Sequence, residues 1–223
     1  MLAQDIGSKW LYWPWVSDHF DEIGERLTQH LQLTLLSVGF GVLIAVPLAL
    51  LSVRYRRLYG PVLAVTSILY TIPSLALFAL LLPVFGTFSV FTAVIPLTLY
   101  TLLILVRNIV TGLDSVPADV REAAEGMGYS RFRQIVRVEL PLALPAIVAG
   151  IRIATVTTIG LVTVTALIGQ GGLGQLIMDG FGRNFRTPLT VGIVLSLALA
   201  VVADLTLLGL LRVATPWRRK QRA

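Results

Sequence analysis

Cysteine is absent from the 223 residues, which excludes disulfides, thiolate metal sites and a cysteine nucleophile and leaves the redox compartment unread. Lysine is almost absent: only Lys9 and Lys220 occur. With no GxxxxGK[ST] segment, the chain cannot supply a P-loop of its own. Histidine is limited to His19 and His30, both ahead of the core of the first long apolar run, and Asp204 is the lone carboxylate inside such a run. Neither a serine with a buried histidine nor a facing pair of aspartates can be assembled in a membrane from this inventory. No catalytic residue, cofactor or metal is expected. Charge is scarce as well, at 13% of residues against roughly 25% in soluble domains. Hydrophobic residues make up 56% and mean hydropathy is +0.82, so the excess apolar surface needs lipid.

What is present is a series of long apolar runs. Residues 31–53 carry no charge and reach about 34 Å as a helix, enough for a hydrocarbon core of about 30 Å. Further runs occupy 61–85, 88–106, 141–168 and 188–211. They predict an all-α integral membrane fold of about five spans, with an extracytoplasmic N-terminal segment over 1–30, a transmembrane domain over 31–211, a polar loop over 107–140 and a basic tail over 212–223. Pro61 suits the first turn of the second span, and the two residues Gly86 and Thr87 make spans two and three a hairpin. The first thirty residues mix acids with tryptophans and lack the basic-then-apolar order of a cleavable signal.

Orientation follows from the cations. With the first run ending inside, the inner segments hold Arg54, Arg56, Arg57, Arg107, Arg121, Arg131, Arg133, Arg137, Arg212, Arg218, Arg219, Lys220 and Arg222; the outer ones hold only Lys9, Arg26, Arg183 and Arg186. By the positive-inside rule the N-terminus is outside and the C-terminus cytoplasmic. The net charge of +6 therefore reads as membrane orientation and a lipid-anchored tail, and no nucleic-acid partner is expected.

The loop over 107–140 carries the chemistry. Asp114, Ser115 and Pro117 read as a helix start, with Ser115 as cap and Asp119 near the positive end of the dipole. A helix over about 116–125 stops at Gly126-Met127-Gly128, and a second over 131–139 closes at Leu140-Pro141. Two short helices with a glycine hinge make a protrusion suited to docking a partner. Glu122-Ala123-Ala124, then Gly128, then Val138-Glu139-Leu140-Pro141 resembles the Glu-Ala-Ala loop of permease subunits in binding-protein-dependent ABC importers, with Val138 in place of isoleucine. Tyr70 to Leu77 and Ile168 to Gly174 are similar to segments of type I permeases for osmoprotectants such as glycine betaine, carnitine and choline. Methionine-type permeases share a glycine-rich segment of this kind, and they stand as the alternative.

The resemblance implies a type I ABC importer permease fold, a coupling role for Glu122, Ala123, Ala124, Gly128, Val138, Leu140 and Pro141, and no ATPase site in the chain. It implies cytoplasmic ABC ATPase subunits, an extracytoplasmic substrate-binding protein and a second permease copy or paralogue as partners, in a prokaryotic inner membrane. On this reading Ala123 and Ala124 allow close approach to the ATPase, Glu122 meets a basic or amide group there, and Gly128 permits a sharp turn. A gradient-driven transporter would call for more spans and carboxylates, and a channel would leave the loop unexplained.

Other residues leave alternatives open. Thr71, Pro73 and Ser74 mark either a plain kink or an opened helix that lines the path. Gly169, Gly171, Gly172 and Gly174 fit GxGxxG, yet no strand precedes them; a tight reversal at an outer gate is the better reading. Arg152 and Asp204 differ in depth by only ~5 Å and either pair, or Arg152 snorkels, or they serve the substrate path. Trp10, Tyr12, Trp13 and Trp15 read as an interfacial aromatic belt rather than a cation cage.

Overall fold

In a computed structural model, which describes residues 9–87 and 89–216, the chain is helical throughout its long segments. The elements are α1 (Trp13–Asp18), α2 (Phe20–Arg54), α3 (Arg56–Thr71), α4 (Ser74–Phe85), α5 (Phe91–Asp114), α6 (Ala118–Gly126), α7 (Arg131–Gln134) followed by a π turn (Ile135–Glu139), α8 (Leu140–Val162) followed by a 3-10 turn (Thr163–Ile168), α9 (Leu173–Gly182) and α10 (Arg186–Ala214). Four of the helical stretches are long and apolar enough to cross a membrane, and the pair α3 and α4, bent by 89° at a short break, meets the same criterion taken together.

In lipid, apolar side chains gain little by meeting one another, so helices associate through close packing of small residues. Helix α2 supplies such a stripe. Ser37, Gly41, Ala45 and Ala49 recur every fourth residue and are all buried. They face α5, where a Cβ on Gly41 would lie 2.0 Å from Thr101 Oγ1. On the other side of α5, Gly112 meets Ala143 and Ala146, and Gly150 meets Asn108. Helix α5 is thus the hub, buried over 67% of its most apolar stretch, whereas α10 is buried over only 11% of its own and lies at the edge.

Several expected boundaries shift. The helix that holds the first apolar run begins at Phe20, ahead of residue 31, with Asp21 and Glu22 in its first turn, where the helix dipole favours carboxylates. The second begins at Arg56, which places Pro61 inside the helix rather than at its start. The Arg56 guanidinium holds that start by a two-pronged bond to Asp114, at 2.8 and 2.5 Å. Asp114 is accordingly the last residue of α5, which runs two turns past Arg107. Ser115 does not cap α6: its hydroxyl donates to the Gly112 carbonyl, and Pro117 stands at the cap position. The second loop helix does not close at Leu140-Pro141, since the π turn carries it into α8 and Pro141 lies inside that continuous helical stretch. Helix α9 was not expected at all. Phe88 and the tail cations Arg218, Arg219, Lys220 and Arg222 lie outside the described residues.

Candidate functional site

At the Asp114 end of the bundle, α6 and α7 project as a short knuckle. Helix α6 ends in a Schellman turn: the Gly128 N–H donates to the Glu125 carbonyl at 2.9 Å and the Tyr129 N–H to that of Ala124 at 3.1 Å. Gly128 has φ +76°, the left-handed conformation that closes such a turn without a side-chain clash. Glu122, Ala123, Glu125, Met127 and Phe132 are exposed, Phe132 at 78%. Ala124 points inward at 1% exposure, a correction to the expectation that both alanines meet a partner. Its small size answers to the packing of α6 on the bundle. Val138 follows in the π turn and Leu140 and Pro141 at the start of α8, and Val138 and Pro141 line a shallow groove with Arg137 and Leu142.

Sequence reasoning passed over the group that anchors this knuckle. Glu139 is fully buried and accepts a 2.6 Å bond from Arg131 Nη1, while Arg121 Nε stands 3.9 Å from the same oxygen. Arg121 also donates through Nη2 to the Leu113 carbonyl at 2.6 Å, which ties α6 to the end of α5. A lone glutamate between hydrophobic residues, eight positions after an arginine, was the available signal.

At the opposite end, Gly169 (φ +76°) closes the 3-10 turn and Gly171 and Gly172 (both φ +72°) reverse the chain into α9. Side chains of α2 take the free amides there. Gln29 Oε1 accepts from Gly172 N–H at 3.1 Å, and His30 Nδ1 accepts from Leu173 N–H at 3.3 Å. The other ring nitrogen of His30 donates to the Ile159 carbonyl at 3.0 Å, so the imidazole is held as the neutral Nε2–H form. The Gly172 and Leu173 amides at the start of α9 are thus already paired. Gln170 Nε2 donates to the Thr87 carbonyl and joins this segment to the end of α4.

The other candidate gate residues lie at the far end of α4, roughly 17 Å away along a helix of this length. The chain breaks at Ile72-Pro73 by 89°, a rupture rather than the plain kink. A break frees backbone groups that lipid cannot satisfy. Tyr100 of α5 meets one of them, its hydroxyl donating to the Ile72 carbonyl while its ring packs edge-on against Tyr70. Thr71 Oγ1 donates to the Ile68 carbonyl at 2.8 Å, and Thr71 and Pro73 are exposed on the side of the fold. Tyr100→Phe removes that bond alone. The expected result is a loss of about 1 kcal/mol, read as a lower unfolding midpoint of the detergent-solubilised protein.

Arg152 and Asp204 form a two-pronged ion pair, Nε to Oδ1 and Nη2 to Oδ2, both at 2.7 Å. The pair joins α8 to α10 on the floor of an apolar groove of about 590 Å³, walled by Ala149, Ile153, Val156, Leu197 and Val201. The N-terminal aromatic rings do not converge on one point. Trp15 stacks on His19 at 4.3 Å, Lys9 sits over Tyr12, Arg186 sits over Trp10, and Trp13 is 68% exposed.

Comparison with known proteins places these features in context. Residues 37–213 match the family described as the binding-protein-dependent transport system inner membrane component. The osmoprotectant import permease protein OsmW of Salmonella typhimurium is 43% identical over 192 residues, covering 84% of this chain and 89% of that protein. The glycine betaine/carnitine/choline transport system permease protein OpuCD of Bacillus subtilis is 38% identical over 198 residues, covering 88% and 86%. Among solved structures, the inward-facing MetNI methionine ABC transporter aligns with TM-score 0.77 at 24% identity over 86% of this chain and 96% of that one. An amino acid ABC transporter aligns with TM-score 0.70 at 20% identity over 92% and 98%.

Proposed function

The chain belongs to the family of binding-protein-dependent transport system inner membrane components, and from that premise we propose that it is the membrane half of an ATP-driven importer of quaternary-amine osmoprotectants. The observation that carries the mechanism is the knuckle: the segment that resembles the coupling loop is the part of the bundle that projects at one end, with Glu122, Ala123 and Phe132 on its free surface. Two such chains, identical or paralogous, face each other across the path, and each docks through α6 on one ATPase subunit. ATP is hydrolysed by those subunits and not by this chain. Nucleotide binding draws the knuckles together and turns the cavity outward, where a separate binding protein delivers the solute; hydrolysis resets it.

The imbalance of cations supports an orientation with the knuckle and C-terminus in the cytoplasm and α1 outside. The glycine-rich turn and the broken span then stand as the outer gate and part of the path. For the solute, relatives named for osmoprotectants, glycine betaine, carnitine and choline at 33–43% identity support a quaternary amine, whereas the likeness to the methionine transporter at 24% identity extends to the fold alone.

The test is uptake into proteoliposomes that hold this chain with its ATPase, supplied with binding protein. Uptake of glycine betaine or choline that requires ATP and survives collapse of ion gradients is the expected result; uptake that follows a gradient and ignores ATP sinks the proposal. Glu122→Ala is expected to lower the rate about tenfold, the scale of one lost charged hydrogen bond. Titration of the binding protein with glycine betaine, choline, carnitine and methionine decides the solute class.

A further inference from the structure

The knuckle is attached to the bundle by little apolar surface for an element that has to carry force, since Ala124 is the one residue of α6 that is fully buried and Val120 is half-buried. So little apolar burial is a small term, whereas leaving one partner of a buried ion pair without the other is strongly destabilising. Glu139 supplies that pair. Its carboxylate is wholly enclosed, and through one oxygen it meets Arg131 of α7 at 2.6 Å and faces Arg121 of α6 at 3.9 Å. Arg121 in turn grips the carbonyl of Leu113 near the end of α5. Arg131 of α7 and Arg121 of α6 therefore meet at one carboxylate just ahead of α8, and Arg121 carries the link on to α5. The backbone explains how Glu139 comes to face inward. It is the last residue of the π turn, whose extra residue rotates the chain relative to a regular helix and aims this side chain under the knuckle rather than into solvent. Among the described residues, Glu139 Oε2, Arg121 Nε and Gln134 Nε2 have no hydrogen-bond partner although all are buried.

We propose that Glu139 is a positioning residue, the pin that makes the knuckle and α8 one rigid lever. With the pin in place, displacement of α6 is delivered to the α8 span. With it removed, α6 turns at its two ends, at Pro117 and at Gly128, and the motion is absorbed there. The inference rests on the reading of α6 as the ATPase-facing element and adds a residue outside the resembled motif, because the motif leaves position 139 free.

The experiment measures solute imported per ATP hydrolysed in proteoliposomes, beside the amount of ATPase that co-purifies with the chain. Glu139→Gln keeps size and shape and removes the charge. The expected result is a fall of about fivefold or more in solute per ATP, with ATPase association and hydrolysis near the level of the unaltered protein. Arg131→Gln, at a position 43% exposed, is expected to do the same, and Arg131→Lys to restore most of the ratio because it keeps the charge. An unchanged ratio in folded Glu139→Gln overturns the pin, and so does a fall matched by equal loss of bound ATPase, which marks a merely structural role. Should Glu139→Gln fail to fold, Arg131→Gln decides by the same two measures. If the unaltered chain itself shows no ATP-dependent uptake, the functional reading fails and the pin with it; if it does and the variants match it, only the pin fails.

Discussion

Reversing one charge of the intramembrane pair, by Arg152→Asp or Asp204→Arg, is expected to reduce solute uptake to background, and exchanging both is expected to restore it. The guanidinium and the carboxylate meet along two parallel bonds of 2.7 Å, the geometry in which arginine and carboxylate fit best. Their surroundings are the apolar walls of α8 and α10, which offer neither charge a second partner among the described residues. A charge inside a span is costly unless it is paired or reaches water. A single reversal sets two like charges side by side where each needs the opposite sign, and α10, the least buried of the long helices, is held to α8 partly through this contact. The double exchange keeps the attraction and changes only which helix carries which sign. Uptake in proteoliposomes, normalised to the folded protein recovered from the membrane, checks both halves. Full activity of either single reversal would remove the pair from any structural role. Failure of the exchange to rescue would mean that one of the charges acts on its own.

Gly174→Ala is expected to be the most damaging conservative substitution in the chain. A Cβ there would lie 2.1 Å from the Thr163 carbonyl oxygen and 2.7 Å from its carbon. Both are backbone atoms, so no side chain can swing aside. Overpacking of this kind costs about 1–3 kcal/mol when the structure can adjust, and more when it cannot. Adjustment here means lifting the start of α9 away from the 3-10 turn. That motion would pull Leu173 and Leu176 out of the cluster with Ile23 and Val191 and separate the Leu173 amide from His30. The expected reading is a loss of monodisperse protein on size exclusion in detergent, or a thermal midpoint lowered by many degrees. Gly39→Ala and Gly209→Ala are the controls, because a Cβ at either meets nothing within 4 Å, and alanine in a helix is favourable by up to about 1 kcal/mol. A Gly174→Ala protein as stable as these controls would show that the approach of α9 to Thr163 is not required.

The sequence reading was strongest where the determinant is local. Long apolar runs located the helices that are long and apolar enough to cross a membrane, four by themselves and the bent pair α3 and α4 taken together. The motif around Glu122 located the knuckle within a few residues. The reading failed at junctions. Asp114 was assigned to the start of the loop helix, but its partner Arg56 lies 58 residues away and holds it at the end of α5. Ala124 was assigned to a partner surface because its spacing from Glu122 said nothing of which way α6 is turned. Helix α9 is only ten residues long and rich in glycine, so neither length nor propensity announced it; it exists because Gln29 and His30 cap its first amides.

The sequence alone determined that this chain is apolar enough for a membrane, where its long apolar helices lie, and that one loop carries a motif resembling a coupling loop. These depend on hydropathy and spacing, which are properties of consecutive residues and survive any tertiary arrangement. The right-angle break at Ile72-Pro73, the burial of Glu139 beneath the knuckle, the meeting of Arg152 with Asp204 and the contact of Gly174 with Thr163 were decided only by the tertiary structure. Each is a match between groups far apart in the chain or on one particular face of a helix. Such matches are set by which small residues let two helices approach, and that selection is made only when the helices pack.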